Sequence, residues 1–446
     1  MIIGSSKVFE FNSVDFDTKT LTAQMRYSCG EHSFCEQVQF DVENPKNLDT
    51  EGLSRALKLM HLVSGISYYK AFTREVLEFR VDYDIPPDVA EFLNHIYEEG
   101  LGEFYYTNKL PPILTSRFEG TSSISSTAGD ISVSGYSVGL GGGKDSLVAI
   151  SLLLELGEIV QTYGVNAESL LSAQAQRFST KHHGITRKFD IETMRSLKTD
   201  DGSGIYSGHV PISAILGSIG LVGGILSGTA KIVVAVERSA NEPTREYQGK
   251  MINHQYSKTT DFEKSFDTIV SNWVDEACGY FSILRPLREL DIMKLFFAMK
   301  LQDKFAGEYS SCNKAIGFTL GRKPGDSLWC SKCDKCAFIY LLMIGAGKYD
   351  YAIKLFGGDL FGKESLHDTF EAVLGNTHTK PFDCVGEISE SRESMDQAKK
   401  HSKYAQNFHY APADIHPAIW SEEHNIPSEL SDRIKELIFT KLGTGK

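Results

Sequence analysis

The sequence predicts an α/β fold: a doubly wound parallel sheet with an N-terminal α+β domain before it and a mixed, partly helical C-terminal region after it. Three observations carry that prediction. From about residue 131, short apolar strand-like runs alternate with apolar helix-like runs. A glycine loop, "VGLGGGKDS", Val138–Ser146, falls between the first such strand and the first such helix. The residues before it alternate apolar and polar side chains instead, as half-buried antiparallel strands do.

The elements follow in order. "LTAQMRYSC" and "SFCEQVQFDV" read as antiparallel strands. Asp49 to about Tyr97 reads as helical, broken by Pro86 and Pro87. "RFEGTSSISSTAGD", rich in Ser, Thr and Gly, is the expected linker. The expected division is therefore 1–116, an N-terminal domain; 117–130, the linker; 131–344, a nucleotide-binding domain that includes a cysteine cluster; and 345–446, a C-terminal region. Within the third part, "YSVGL" is a strand, "SLVAISLLLELG" a helix and "IVQTYGVN" a strand ending at Asn166. Gln174–Arg195 and "HVPISAILGSIGLVGGIL" are expected helices, and "KIVVAVERSANEP" is a strand opening into a polar loop. Ligands of such sheets sit at the carboxyl ends of strands, where the glycine loop, Asn166 and the Glu237–Glu242 loop all fall. No internal repeat is present.

Composition narrows the function. The 446 residues carry a formal net charge of -12, which repels phosphate backbones and argues against a nucleic-acid partner. "MIIGSSKVFEFNS" lacks a basic start and a long apolar core, so no signal peptide and a cytoplasmic location are expected. The eight cysteines are then thiols or metal ligands rather than disulfides. Val210–Ala230 has no charged residue and is long enough to span a bilayer. Its glycines and serines, Pro211 and the following "KIVVAV" favour a buried helix feeding a buried strand.

The loop is neither of the commonest phosphate motifs. Walker A needs glycine where Val138 stands and Ser or Thr where Asp145 stands. A dinucleotide fingerprint needs glycine at Lys144. What remains is G-G-x-D-S at a helix start. Backbone N–H groups there suit phosphate, Lys144 adds a cation, and Asp145 implies Mg²⁺ between it and the phosphate. A plain glycine turn with an aspartate cap is the ordinary alternative. The arrangement resembles the S-G-G-x-D-S pyrophosphatase (PP-loop) of the adenine nucleotide alpha hydrolase-like superfamily, with Gly141 where the leading serine stands. The resemblance implies cleavage of ATP between its alpha and beta phosphates.

"WCSKCDKCAF" sets Cys330, Cys333 and Cys336 at C-x2-C-x2-C, and "YSSCNKA" adds Cys312. Four thiolates suit a structural tetrahedral zinc, and unmetallated thiols are the alternative. An iron–sulfur run needs cysteine at Tyr340. "VERSANEP" brings Glu237, Arg238, Asn241 and Glu242 to the sheet edge, either as ligand-binding groups or as a solvated turn. "SGHVP" gives His209, a helix-start hydrogen bonder or a catalyst; "NHQYSK" gives His254 with Lys258. Arg285 and Arg288 of "LRPLRE" suit an anionic substrate or internal ion pairs. "HTKPFDCVGEISE" gathers Lys380, Asp383, Cys384 and Glu387, an ordinary loop or an acid/base group lowered onto the nucleotide site.

Taken in order, "GISYYK", "GEFYYTN", "GGGKDS", "GHVP", "VERSANEP", "NHQYSK", "YSSCNKA", "WCSKCDKC" and "KPFDCVG" resemble the ATP-dependent UDP-N-acetylmuramoyl-L-alanyl-L-glutamate epimerases, the MurL family, over about Gly65 to Glu387. The resemblance implies inversion of a terminal L-glutamate in a peptidoglycan precursor, with ATP consumed to AMP and pyrophosphate through an acyl-adenylate. On that reading Gly141, Gly142, Gly143, Lys144, Asp145, Ser146 and Asn166 bind the nucleotide, with Mg²⁺ at Asp145. Arg238, Asn241, Glu242, Arg285 and Arg288 face the UDP-muramoyl dipeptide, and Cys384, His209, His254 and Asp383 are candidates for proton transfer. The loop and cluster also resemble 7-cyano-7-deazaguanine synthase, against which the large N-terminal part weighs. A non-catalytic ATP sensor is the remaining alternative.

Overall fold

The computed structural model describes residues 8–444 except 74–75, 77, 122–126, 167, 198–204, 313, 315–327, 378–379 and 413–417. Its centre is a nine-stranded, mixed sheet. The strands are β1 (Val8–Asp17), β2 (Thr22–Cys29), β3 (His32–Phe40), β4 (Glu78–Val81), β5 (Tyr136–Gly139), β6 (Val160–Val165), β7 (Lys181–Lys188), β8 (Lys231–Val234) and β11 (Gly279–Ser282). β9 (Arg245–Tyr247) and β10 (Lys250–Ile252) form a separate hairpin. The order across the main sheet is β11-β8-β5-β6-β7-β3-β2-β1-β4.

The five strands from β11 to β7 are mutually parallel. Their chain order reverses between β5 and β8, which leaves a crevice above the carboxyl ends of those two strands. Both faces are covered. Helices 51–64, 87–99, 212–227 and 260–269 bury their apolar residues on one side. Helices 144–155, 168–178, 289–298, 334–345 and 428–442 do so on the other. Parallel strands must be covered on both faces, because each crossover lays a helix on the sheet. The charge-free stretch at Val210 is one such helix, Ile212–Ser227, feeding β8. No helix among the described residues is long and apolar enough to cross a membrane.

The N-terminal strands do not form a sheet of their own. β3 pairs antiparallel with β7, Gln37 opposite Lys188 and Phe40 opposite Ile185. Arg187 donates to buried Glu36 at 2.7 and 3.1 Å across that junction. Of the expected linker, 122–126 lie outside the described residues. Asp130 accepts from the backbone N–H groups of Glu51 and Gly52 at the start of helix 51–64.

Two expectations need correction. Gln174–Arg195 is not continuously helical: the helix ends at Phe178, Ser179 takes a φ of 57°, and β7 follows. β7 is paired on both edges, so the ladders outweigh local helix propensity. Pro86 and Pro87 do not break a helix. They start one, with Pro87 in the first turn of Pro87–Glu99, where a missing N–H costs nothing. The short β4 beside β1 also lies within the stretch expected to be helical.

Candidate active site

The glycine loop leaves β5 and enters the helix Lys144–Glu155, whose N-cap Gly143 supplies no side-chain bond. The first-turn N–H groups are thus presented without a competing side-chain cap, a ready anion cradle. Gly142 has a φ of 82°, a conformation that favours glycine. Its carbonyl accepts from Ser310 N at 2.9 Å and Gln174 Nε2 at 3.1 Å, so the loop is held from two sides. A Cβ on Gly141 meets nothing within 4 Å, whereas one on Gly143 comes 3.1 Å from Ser311 Oγ. Ser146 Oγ donates to Gly143 O at 3.2 Å.

From the loop a buried chain of charges runs inward. Lys144 Nζ donates to Asp145 and to Glu289, the first residue of helix 289–298 after β11. Glu289 also accepts from Lys335 Nζ at 3.1 Å, and Lys335 donates to the Cys384 carbonyl. Lys258 Nζ lies 3.1 Å from Cys384 Sγ. His254 bonds through Nδ1 to Glu103, whose same oxygen is 3.2 Å from His209 Nδ1. The two imidazole centroids are 4.9 Å apart. Lys70 donates to Gly208 O at 2.6 Å and so fixes the backbone beside His209.

The electrostatics order these groups. Burial pushes the Cys384 thiol up, but Lys258, the His254 hydrogen bond and Lys335 outweigh it and bring the thiol down to about 7. Burial opposes a charge on His254, yet its bonds to Cys384 and Glu103 raise it to about 9. Between those values the pair is thiolate and imidazolium. His209 is pushed by burial down to about 4 and is neutral. Burial and then Glu289 raise Glu237, and burial raises Asp145 despite Lys144. Carboxyls held up in this way fit the approach of one more cation.

Other expected residues have structural partners. Asn166, at a φ of 59°, pairs both ends of its amide with the Arg187 backbone. Asn241 pairs with Thr260 in the same two-sided way. Arg285 is fully buried, bound to Glu263 at 2.7 and 3.0 Å and to the Glu237 and Lys258 carbonyls. Arg288 is bound to Asp291 and Glu393. Arg238 faces Glu387 at 3.5 Å, Glu242 is paired with Lys380, and Asp383 accepts from the Lys335 and Cys384 backbone. Arg285 therefore acts on the site indirectly, by holding the segments that carry Glu237 and Lys258. Glu103, Glu289 and Lys335 were not singled out by spacing. They lie in the quoted segments "GEFYYTN", "LRPLRE" and "WCSKCDKC", but nothing in those segments marks them as site residues.

The four cysteines lie together, with Cys312–Cys333 and Cys330–Cys336 each 3.8 Å apart and all four sulfurs within 4.8 Å of one another. Four sulfurs at about 2.3 Å from one zinc stand about 3.8 Å apart along a tetrahedron's edges. The donors fit that ion. The site joins Cys312 to the 330–336 run, whose last residues open the helix Asp334–Gly345 that carries Lys335.

A thiolate–imidazolium pair beside buried ammonium groups is chemistry for moving a proton next to developing negative charge. On a mixed, mostly parallel α/β sheet, such a pair suits an enzyme that works by acid–base or nucleophilic chemistry. The chain belongs to the MurL family. The MurL N-terminal domain model matches residues 3–283, and the MurL C-terminal domain model matches 308–419. It is 31% identical over 391 residues to a UDP-N-acetyl-alpha-D-muramoyl-L-alanyl-L-glutamate epimerase of a Micromonospora species, covering 86% of this chain and 85% of the relative. Proteins of the same name from Xanthomonas oryzae (31%; 77% and 74%) and Salinispora tropica (30%; 86% and 83%) are also similar. No solved structure gives a significant match.

Proposed function

We infer that this chain epimerises the terminal L-glutamate of UDP-N-acetylmuramoyl-L-alanyl-L-glutamate to D-glutamate in peptidoglycan precursor synthesis, with the carboxylate first activated by ATP. The name and activity follow the relatives. The ATP step rests on one observation: an unbroken buried chain of ion pairs and hydrogen bonds links the PP-loop-like glycine loop to Cys384.

A proton alpha to a carboxylate is hard to remove, because the product gathers a second negative charge on the same group. Joining the carboxylate to AMP removes the first charge. The backbone of Gly141–Gly143 and Lys144 would hold the departing pyrophosphate, and Asp145 would hold Mg²⁺, which supplies charge neutralisation to the phosphates. The Cys384 thiolate takes the alpha proton. Lys258 and Lys335 stabilise the enolate that forms, and Glu103 keeps His254 protonated and oriented toward the sulfur. A proton drawn from solvent on the opposite face inverts the centre, the Cys384 thiol returns its proton to solvent, and water hydrolyses the anhydride to release AMP. The four cysteines would carry a structural zinc.

The test is incubation with ATP, Mg²⁺ and the L-glutamate precursor in deuterated water. Expected are AMP, pyrophosphate, and D-glutamate carrying deuterium at its alpha carbon. Inversion without ATP would remove the activation step, and ATP cleavage without inversion would remove the epimerase reading.

A further inference from the structure

The arginines of the sequence motifs are engaged by acids, but one arginine near the thiol is not. Arg245 stands at the start of β9 with its guanidinium carbon 4.0 Å from the centroid of the Phe382 ring and 4.6 Å from that of Tyr106. Its Nη2 donates to Lys380 O at 2.9 Å. Its Nε is buried and has no hydrogen-bond partner among the described residues. No carboxylate among them pairs with it, and the neighbouring Glu242 is taken by Lys380. Phe382 in turn stands 6.1 Å from the His254 ring and two residues before Cys384.

A guanidinium set against two aromatic rings, which stand 5.3 Å apart at 60° to each other, keeps its charge while part of its water shell is replaced by ring surface. A buried N–H without an acceptor is unfavourable until something supplies one. The planar fork matches a carboxylate or phosphate. A substrate worked on by Cys384 and His254 has two carboxylates, and the proposed activation consumes the one beside the reacting carbon. We propose that Arg245 binds the remaining, side-chain carboxylate of the terminal glutamate, and so selects glutamate and aims its alpha carbon at Cys384. This rests on the epimerase reading.

The experiment compares wild type, Arg245→Met and Arg245→Lys on the L-glutamate precursor and on the same precursor ending in L-glutamine. Turnover is followed alongside calorimetric binding without ATP. Loss of Arg245 is expected to raise KM for the glutamate substrate on the order of 10- to 100-fold, with KM for ATP unchanged. The wild-type preference for glutamate over glutamine should disappear in Arg245→Met and return only in part in Arg245→Lys. Equal weakening of both substrates would assign the arginine to the diphosphate and overturn the proposal, as would unchanged affinity or a melting temperature lowered enough to explain the loss. Should wild type bind both precursors without turning either over, the epimerase reading fails while the binding comparison still decides on Arg245.

Discussion

Lys258→Met tests the electrostatics of the candidate thiolate. The ammonium is 3.1 Å from the sulfur, and it is the foremost of the groups lowering a thiol that burial alone would raise. At an effective dielectric of about 20, such a pair interacts by about 5 kcal/mol, a ceiling reduced by the remaining Lys335 and His254. A return of the thiol from about 7 to its ordinary 9.0 is the conservative outcome, worth about 2.7 kcal/mol. At about pH 7.5 the thiolate fraction then falls from about three quarters to about 3%, which alone lowers kcat/KM about 25-fold, and loss of the enolate contact adds to that. Methionine keeps the length and apolar stem of the side chain, and Arg285 still has the residue 258 carbonyl to hold. Iodoacetamide alkylation across pH, followed on the peptide containing Cys384, reads the midpoint directly. A midpoint that stays near 7 in the variant would refute the assigned role of Lys258. A midpoint that moves while kcat/KM does not would refute Cys384 as the base.

Four further outcomes follow from the geometry. The activity profile should be bell-shaped: the base is active deprotonated, so kcat/KM rises as pH rises through about 7, and it falls through about 9 as His254 loses its proton. Glu103→Gln removes one of the two groups that raise His254, so the alkaline limb should move to lower pH while the acid limb moves up slightly; an unmoved alkaline limb would remove Glu103 from the chain. Gly142→Ala forces a side chain to a φ of 82°, at a cost of about 1–2 kcal/mol, and should cut pyrophosphate release, whereas Gly141→Ser should leave it within about twofold. Purified protein should hold about one zinc per chain, and Cys330→Ser should lower both the zinc content and the melting temperature; a zinc-free, fully active wild type would sink that assignment.

Much of the sheet was legible because its strands carry local patterns. β5, β6 and β8 fall in the short strand-like runs "YSVGL", "IVQTYGVN" and "KIVVAV", and β2 and β3 alternate cleanly. β7 was hidden because "KHHGITRK" lacks that alternation, and it is held by neighbours on both edges. The continuity of one sheet through the β3–β7 pair was also unreadable, since it joins segments about 150 residues apart. The same distance effect explains the site. Cys384, His209, His254 and the glycine loop stood out as residue types, but Glu103 meets His254 across 151 positions and Glu289 meets Lys144 across 145. No local spacing records such pairs. Nor does residue type separate a ligand arginine from an internal one: Arg285 and Arg288 looked like substrate groups, and Glu263, Asp291 and Glu393 hold them.

The empty space over Gly141 bears on how this loop is recognised at all. With nothing within 4 Å of a Cβ there, drift between glycine and serine meets no steric barrier. On the proposed reading of this loop as a pyrophosphatase loop, the leading serine of that signature is a poor marker by which to find loops like this one. The positions under backbone constraint, Gly142 with its turned φ and Gly143 against Ser311, make a better query, because a lineage that loses them loses the shape of the cradle.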